Sequence, residues 1–291
     1  MNGLDLYTRT SAEAAARVIS AYSTSFSMAA NLLPPDCRRG IRNIYALVRT
    51  ADEIVDGTAA EAGLTADQRR SALDALEQEV LLGTAHGFSA NPLVHAFAVT
   101  ARDADIETPL ITAFFTSMRR DLSPVERLSR AEYDEYVYGS AEVVGLMCLR
   151  VFLCGDTWDA ERLEPVEHGA ARLGAAFQKI NFLRDLGDDA AQLGRAYFPG
   201  ARPGQLSERE KADILDEIDE DLVAAKAGIA GLPPGPRRAT QLAAHLFEDV
   251  AAQLRRTPAA EILHRRVSVP WRRKTYLLLK ALLPANVRGL P

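Results

Sequence analysis

Prolines divide this chain into long stretches that favour helix, and this constrains its fold more than any other feature. Pro34-Pro35, Pro92, Pro109, Pro124, Pro165, Pro199, Pro203, Pro233-Pro234-Pro236, Pro258, Pro270 and Pro284 separate segments rich in Ala, Leu, Glu and Arg. Those residues lose little side-chain freedom in a helix, whereas proline removes a backbone donor and clashes with the preceding turn. In residues 36–56, Ile41, Ile44, Leu47, Val48, Ala51 and Val55 recur at helical spacing. Alternating strand patterns are scarce and no βα repeat is visible. The pattern predicts an all-α, single-domain bundle over 1–291. Its helices are expected near 11–22, 36–57, 66–83, 91–104, 108–121, 130–155, 159–192, 207–229, 236–256 and 270–283, with Gly231–Pro236 as a loop.

Composition closes off several classes. The first residues hold no apolar run of signal-peptide type. The most apolar stretch, Val143–Cys154, is broken by Arg150 and is too short to span a bilayer. Cys37, Cys148 and Cys154 lack metal-ligand spacing and read as small core residues of a reduced, cytoplasmic protein. The net charge of −5 conceals a basic tail: from Arg255 onward nine Lys or Arg stand against one acid, Glu261. The acidic body argues against nucleic acid as a partner. The tail is either a solvated helical face or a surface for diphosphate or the inner face of a membrane.

Two polar stripes carry the chemistry. In Tyr45-Ala-Leu-Val-Arg49-Thr-Ala-Asp52-Glu-Ile-Val-Asp56, successive residues turn by about 100°, so Tyr45, Arg49, Asp52 and Asp56 share one helix face. In residues 178–189, Gln178, Asn181, Asp185, Asp188 and Asp189 do the same, with Gly174 on that stripe and Leu173, Phe177, Ile180 and Leu183 available to the core. Carboxylates at i and i+4 repel modestly unless they share a cation. Hard oxygen ligands suit Mg²⁺, with Mn²⁺ as a substitute. One such pair is usually a solvated helix face; two, each with amide or Arg companions, form the opposed walls of a diphosphate site. Scattered histidines, no Walker loop, no GxGxxG and no GxSxG leave zinc, haem, nucleotide and serine-hydrolase chemistry without residues.

The same residues resemble the squalene/phytoene synthase family from about residue 18 to 280. The similarity is densest in Tyr22-Ser-Thr-Ser-Phe-Ser27, residues 45–56, Tyr136-Val-Tyr-Gly-Ser-Ala141, residues 178–189 and Gly194-Arg-Ala-Tyr-Phe-Pro199. It is greatest to the phytoene-forming actinobacterial members.

The resemblance implies an isoprenoid-synthase bundle with a central cavity, in which two geranylgeranyl diphosphates join head to head through a cyclopropyl diphosphate. It implies Mg²⁺ at Asp52, Asp56, Asp185 and Asp189, and no NADPH. Diphosphate-holding roles fall on Ser23, Ser25, Tyr45, Arg49, Gln178 and Asn181, joined near the C-terminus by Arg266 and Lys274. Tyr136 is implied as a lining of the reaction zone and Phe26 as an aromatic against the prenyl chain. Two departures stand out: Glu142 replaces the family's common glycine, and Phe247 replaces a common tyrosine. Glu142 points either outward or toward the cavity. Farnesyl-using squalene, dehydrosqualene or presqualene diphosphate synthesis is the neighbouring reading, and an inactive assembly protein is the non-enzymatic one. Downstream carotenoid enzymes are the partners the resemblance implies.

Overall fold

The computed structural model describes residues 2–55, 57–123, 128–192, 197–199, 204–264 and 267, with backbone alone for 187–192. Among these residues every regular element is helical. The first helix, α1 (Gly3–Tyr22), begins eight residues before its expected start because Asn2 and Asp5 form a capping box. Ser23 is extended, ends α1 and caps α2 (Thr24–Ala30) by accepting from the Phe26 amide at 3.2 Å. α3 (Pro35–Val55) buries Ile44, Leu47, Ala51 and Val55, as its spacing predicts. A short α4 (Thr58–Glu61) leads to α5 (Ala66–His86), opened by a Thr65/Gln68 capping box and closed by Gly87 at φ 77°. α6 (Pro92–Asp103) and α7 (Thr108–Arg120) each carry proline in the first turn, where its missing N–H costs nothing.

Residues 130–153 run as one helical segment of three parts: α8 (Arg130–Val137), a π turn over Tyr138–Glu142, and α9 (Val143–Leu153). By length and composition alone the whole segment is sufficient to cross a membrane, although its most apolar part, from Val143 onward, is too short by itself. It is nonetheless mostly buried, packed on α3 and α7 and on α10 (Ala160–Gln192). α11 (Glu208–Gly231), α12 (Pro234–Arg256) and α13 (Ala259–Ile262) complete the described order. The Gly231–Pro236 loop is shorter than expected, since Pro234 already starts α12.

Two apolar clusters flank the middle of the molecule. One gathers Leu73, Phe97, Phe114, Phe115 and Met147 from α5, α6, α7 and α9 against α3. The other gathers Ile180, Leu183, Leu215, Ile218 and Leu254 from α10, α11 and α12. Full burial of a Phe or Leu is worth about 1.5–3 kcal/mol against exposure, so these clusters hold the walls between which the cavity lies. Of the thiols, Cys154 departs from the core reading: it is exposed at the end of α9, with Sγ on the Asp103 carbonyl at 3.0 Å.

Candidate active site

A cavity of about 500 Å³ opens between α1, α2, α3, the π turn with α9, α10, α11 and α12. Its two ends differ chemically because the helices that build it change residue type along their length. On α10 the lining passes from Val166, Gly169, Ala170 and Leu173 to Gln178, Asn181 and Arg184. On α3 it passes from Ile41 and Ile44 to Tyr45, Arg49 and Asp52. Ser23 and Ser25 join the polar end, and Ala29 and Ala30 line the apolar wall. Eight of the residues singled out from sequence therefore meet around one space: Ser23, Ser25, Phe26, Tyr45, Arg49, Asp52, Gln178 and Asn181.

At the polar end, the Arg49 guanidinium stacks 4.4 Å from the Tyr22 ring centre and donates from Nε to Glu53 at 2.7 Å. Glu53 thus orients the cation, a role visible in sequence only as an i,i+4 Arg–Glu pair. Burial pushes the Glu53 carboxyl up, but hydrogen bonds from Thr58 and Arg49 outweigh it and leave the group below its ordinary value. Burial raises the Tyr45 phenol despite the nearby Arg49 charge, so it stays a neutral donor. Asp185 does not line the cavity; it stands half-buried beside it, held by Arg184 at 2.9 Å and 2.5 Å. Asp56, Arg266 and Lys274 lie outside the described residues, as does the side chain of Asp189. Among the described residues no three carboxylate, imidazole or thiol groups converge into a metal cage. The donors present, Asp52 and Asp185 with the amides of Gln178 and Asn181, are hard oxygen groups of the kind Mg²⁺ takes.

Deeper in, three rings form the cavity's aromatic patch. Phe177 and Phe247 stack with centres 3.8 Å apart, and Phe26 lies 5.8 Å and 5.5 Å from them. Leu173 and Phe177, read from sequence as core, pack against the core clusters and line the cavity as well; Ile180 and Leu183 are the fully buried pair. Periodicity alone cannot separate a core-facing from a cavity-facing apolar stripe, because both are merely the non-solvent side of the helix.

Tyr136 is the clear departure among the expected lining residues. It is 3% exposed, donates to both Asp121 oxygens at 2.7 Å and 2.9 Å, and stacks on Phe182 and Tyr197 in the second apolar cluster. Gly139, one turn on, fits against Ser117 and Ala113 of α7, so its lack of a side chain serves helix packing. Ser140, Ala141 and Gly145 line the cavity. Glu142 turns away from the cavity to pair with Arg172 on α10.

Cys148 faces the cavity from α9, and burial pushes its thiol up to about 12. The thiolate is the nucleophile, so at pH 8 Cys148 is expected to resist iodoacetamide in the folded protein and react on unfolding, while exposed Cys154 reacts at once. Mass spectrometry of tryptic peptides reads both; labelling of Cys148 at the rate of Cys154 would mean that the cavity is open to bulk water.

An all-helical bundle around a cavity with a carboxylate, arginine and amide end and an aromatic, apolar depth is the architecture of an isoprenoid synthase. Residues 19–273 match the squalene/phytoene synthase family, and the chain belongs to it; it is a prenyltransferase. It is 28% identical over 269 residues to the 15-cis-phytoene synthase of Paracoccus sp., covering 88% of this chain and 86% of that one. It is also 28% identical to the phytoene synthase of Arthrospira platensis, covering 93% and 92%. A solved dehydrosqualene synthase shares the fold at a TM-score of 0.79 and 22% identity, over 94% of this chain and 96% of that one.

Proposed function

We propose that the protein is a phytoene synthase that joins two geranylgeranyl diphosphates head to head. The carrying observation is similarity over nearly full length to phytoene synthases, with 86% of the Paracoccus sp. relative and 92% of the Arthrospira platensis relative covered. The cavity suits a prenyl substrate: from Val166 to Phe177 its apolar wall rises about 17 Å along α10, at 1.5 Å per residue, before the polar residues begin.

Asp52 and Asp185, with Asp56 and Asp189, are the residues that would hold Mg²⁺, which when bound neutralises the departing diphosphate. Arg49 and the amides of Gln178 and Asn181 hold the diphosphate oxygens, with Tyr45, Ser23 and Ser25 donating from their hydroxyls. Arg266 and Lys274 are assigned to the same diphosphates from the basic tail. The donor's allylic C–O bond breaks and diphosphate takes the electron pair. The C2=C3 bond of the acceptor attacks the cation, and loss of a proton closes the cyclopropane. The second C–O bond then breaks, the cation rearranges to the 1–1′ bond, and loss of another proton forms the central double bond. Released diphosphate accepts these protons, so no side-chain base is required. Phe26, Phe177 and Phe247 exclude water and offer π faces to the positive charge. The last step takes no hydride, hence no NADPH. The basic tail after Arg255 suits contact with the cytoplasmic face of a membrane, where substrate and product dissolve and downstream carotenoid enzymes would collect the product.

Purified protein incubated with geranylgeranyl diphosphate and Mg²⁺, without NADPH, is expected to yield a C40 hydrocarbon by chromatography and mass spectrometry. A C30 product from farnesyl diphosphate alone would move it to the dehydrosqualene or squalene side. No product from either substrate would sink the enzymatic reading.

A further inference from the structure

Behind the cavity wall runs a chain of alternating charges that touches no part of the cavity itself. Arg130 of α8 binds Glu217 of α11 through both terminal nitrogens, at 2.9 Å and 3.0 Å. Lys179 of α10, 4% exposed, pairs with Glu217 and, at 2.7 Å, with Asp221. Arg172 lies 3.3 Å from Asp221 and closes the chain on Glu142, whose side chain is 12% exposed. Three cations and three anions thus alternate from the start of α8 to the last residue of the π turn. Lys179 and Asp221 are the buried members, with Glu142 nearly so, and charges at that depth are tolerated only when each is paired.

Glu142 is where this chain meets the cavity wall. The π turn that it ends carries Ser140 and Ala141 into the lining. On the cavity side the turn is pressed backbone to backbone on α10. A Cβ on Gly174 would stand 2.9 Å from the Ala141 carbonyl carbon, and closer to its oxygen. A π turn holds one extra residue, and sliding it by one position would rotate a lining residue by about 100°. The backbone contact at Gly174 opposes separation of the helices, whereas the Glu142–Arg172 pair marks one residue and so resists sliding.

We propose that Glu142 is a positioning residue: through Arg172 it sets where Ser140 and Ala141 stand in the wall, and so how the two prenyl chains are held for bond formation. The inference rests on the prenyl-condensation reading. Misplacing reacting carbons slows the chemical steps more than it weakens diphosphate binding. E142Q is therefore expected to lower kcat by about tenfold, leave KM within about twofold, and raise severalfold the share of turnover released as cyclopropyl diphosphate. R172Q, which also loses the pairing with Asp221, should do at least as much, and the double variant should be no worse than R172Q alone, since the Glu142–Arg172 pair is already gone there. E142D, with the charge kept, should recover part of the loss.

A lower melting temperature with kcat per folded molecule and product partition both at wild-type values would overturn the proposal, because a purely structural ion pair behaves that way. Amide exchange at residues 138–143 supplies a readout that needs no turnover. It should quicken severalfold in E142Q and slow again when geranylgeranyl thiolodiphosphate is added, whereas unchanged exchange would refute the positioning role. Absence of product from the wild type would instead count against the proposed reaction.

Discussion

Asp52→Ala and Asp185→Ala are each expected to reduce turnover of geranylgeranyl diphosphate by on the order of 10²–10³, while far-ultraviolet circular dichroism and melting stay close to wild type. The physical reason lies in the leaving group. Breaking an allylic C–O bond puts further negative charge on a diphosphate that is already highly charged, inside a cavity lined with alanine and phenylalanine. In the proposed reaction the polar end stabilises that charge, and each aspartate is half-buried rather than part of the packed core. Replacement therefore removes function without opening a void, and changes in stability should stay within about 0.5–1 kcal/mol. Asp52→Asn and Asp185→Asn, which keep shape and lose charge, should be as inactive as the alanines. Retained activity in both alanine variants, measured at saturating Mg²⁺, would remove these residues from the metal site. A matching loss of melting temperature would make them structural.

Gly174→Val should have a large effect on the fold. A Cβ at this position meets the Ala141 carbonyl and, at 3.2 Å, the adjoining Glu142 Cα. Both obstacles are backbone in continuous helix, so neither can swing away as a flexible side chain would. Overpacking of this kind costs about 1–3 kcal/mol where the neighbours yield, and more where they cannot. Roughly 3 kcal/mol is expected, lowering the melting temperature by about 6 °C or more for a chain this size. Activity should fall further than stability, because Gly174 lines the cavity between Leu173 and Phe177. Gly3→Ala, with nothing within 4 Å of its added Cβ, is the control and should melt at or slightly above the wild-type temperature. A Gly174→Val protein that melts within a degree of wild type would show that the π turn and α10 separate more easily than their backbone contact implies.

The sequence by itself determined the all-helical class and most helix boundaries, because proline, capping boxes and 3.6-residue periodicity act within a few residues of where they stand. It also determined which side chains could form a diphosphate end: Arg49 and Asp52 share a face of α3 by spacing alone, as do Gln178 and Asn181 on α10. The early start of α1 and the placement of Cys154 at the surface escaped it only in detail. Tertiary structure decided what lay between helices. Whether Phe177 reached the cavity as well as the core, whether Tyr136 reached the reaction zone or Asp121, and which way Glu142 turned each depended on a neighbour far along the chain. A helix face records only that it avoids water; what it meets there is settled by the crossing of α9, α10 and α11, where glycines let backbones touch and paired charges join one helix to the next.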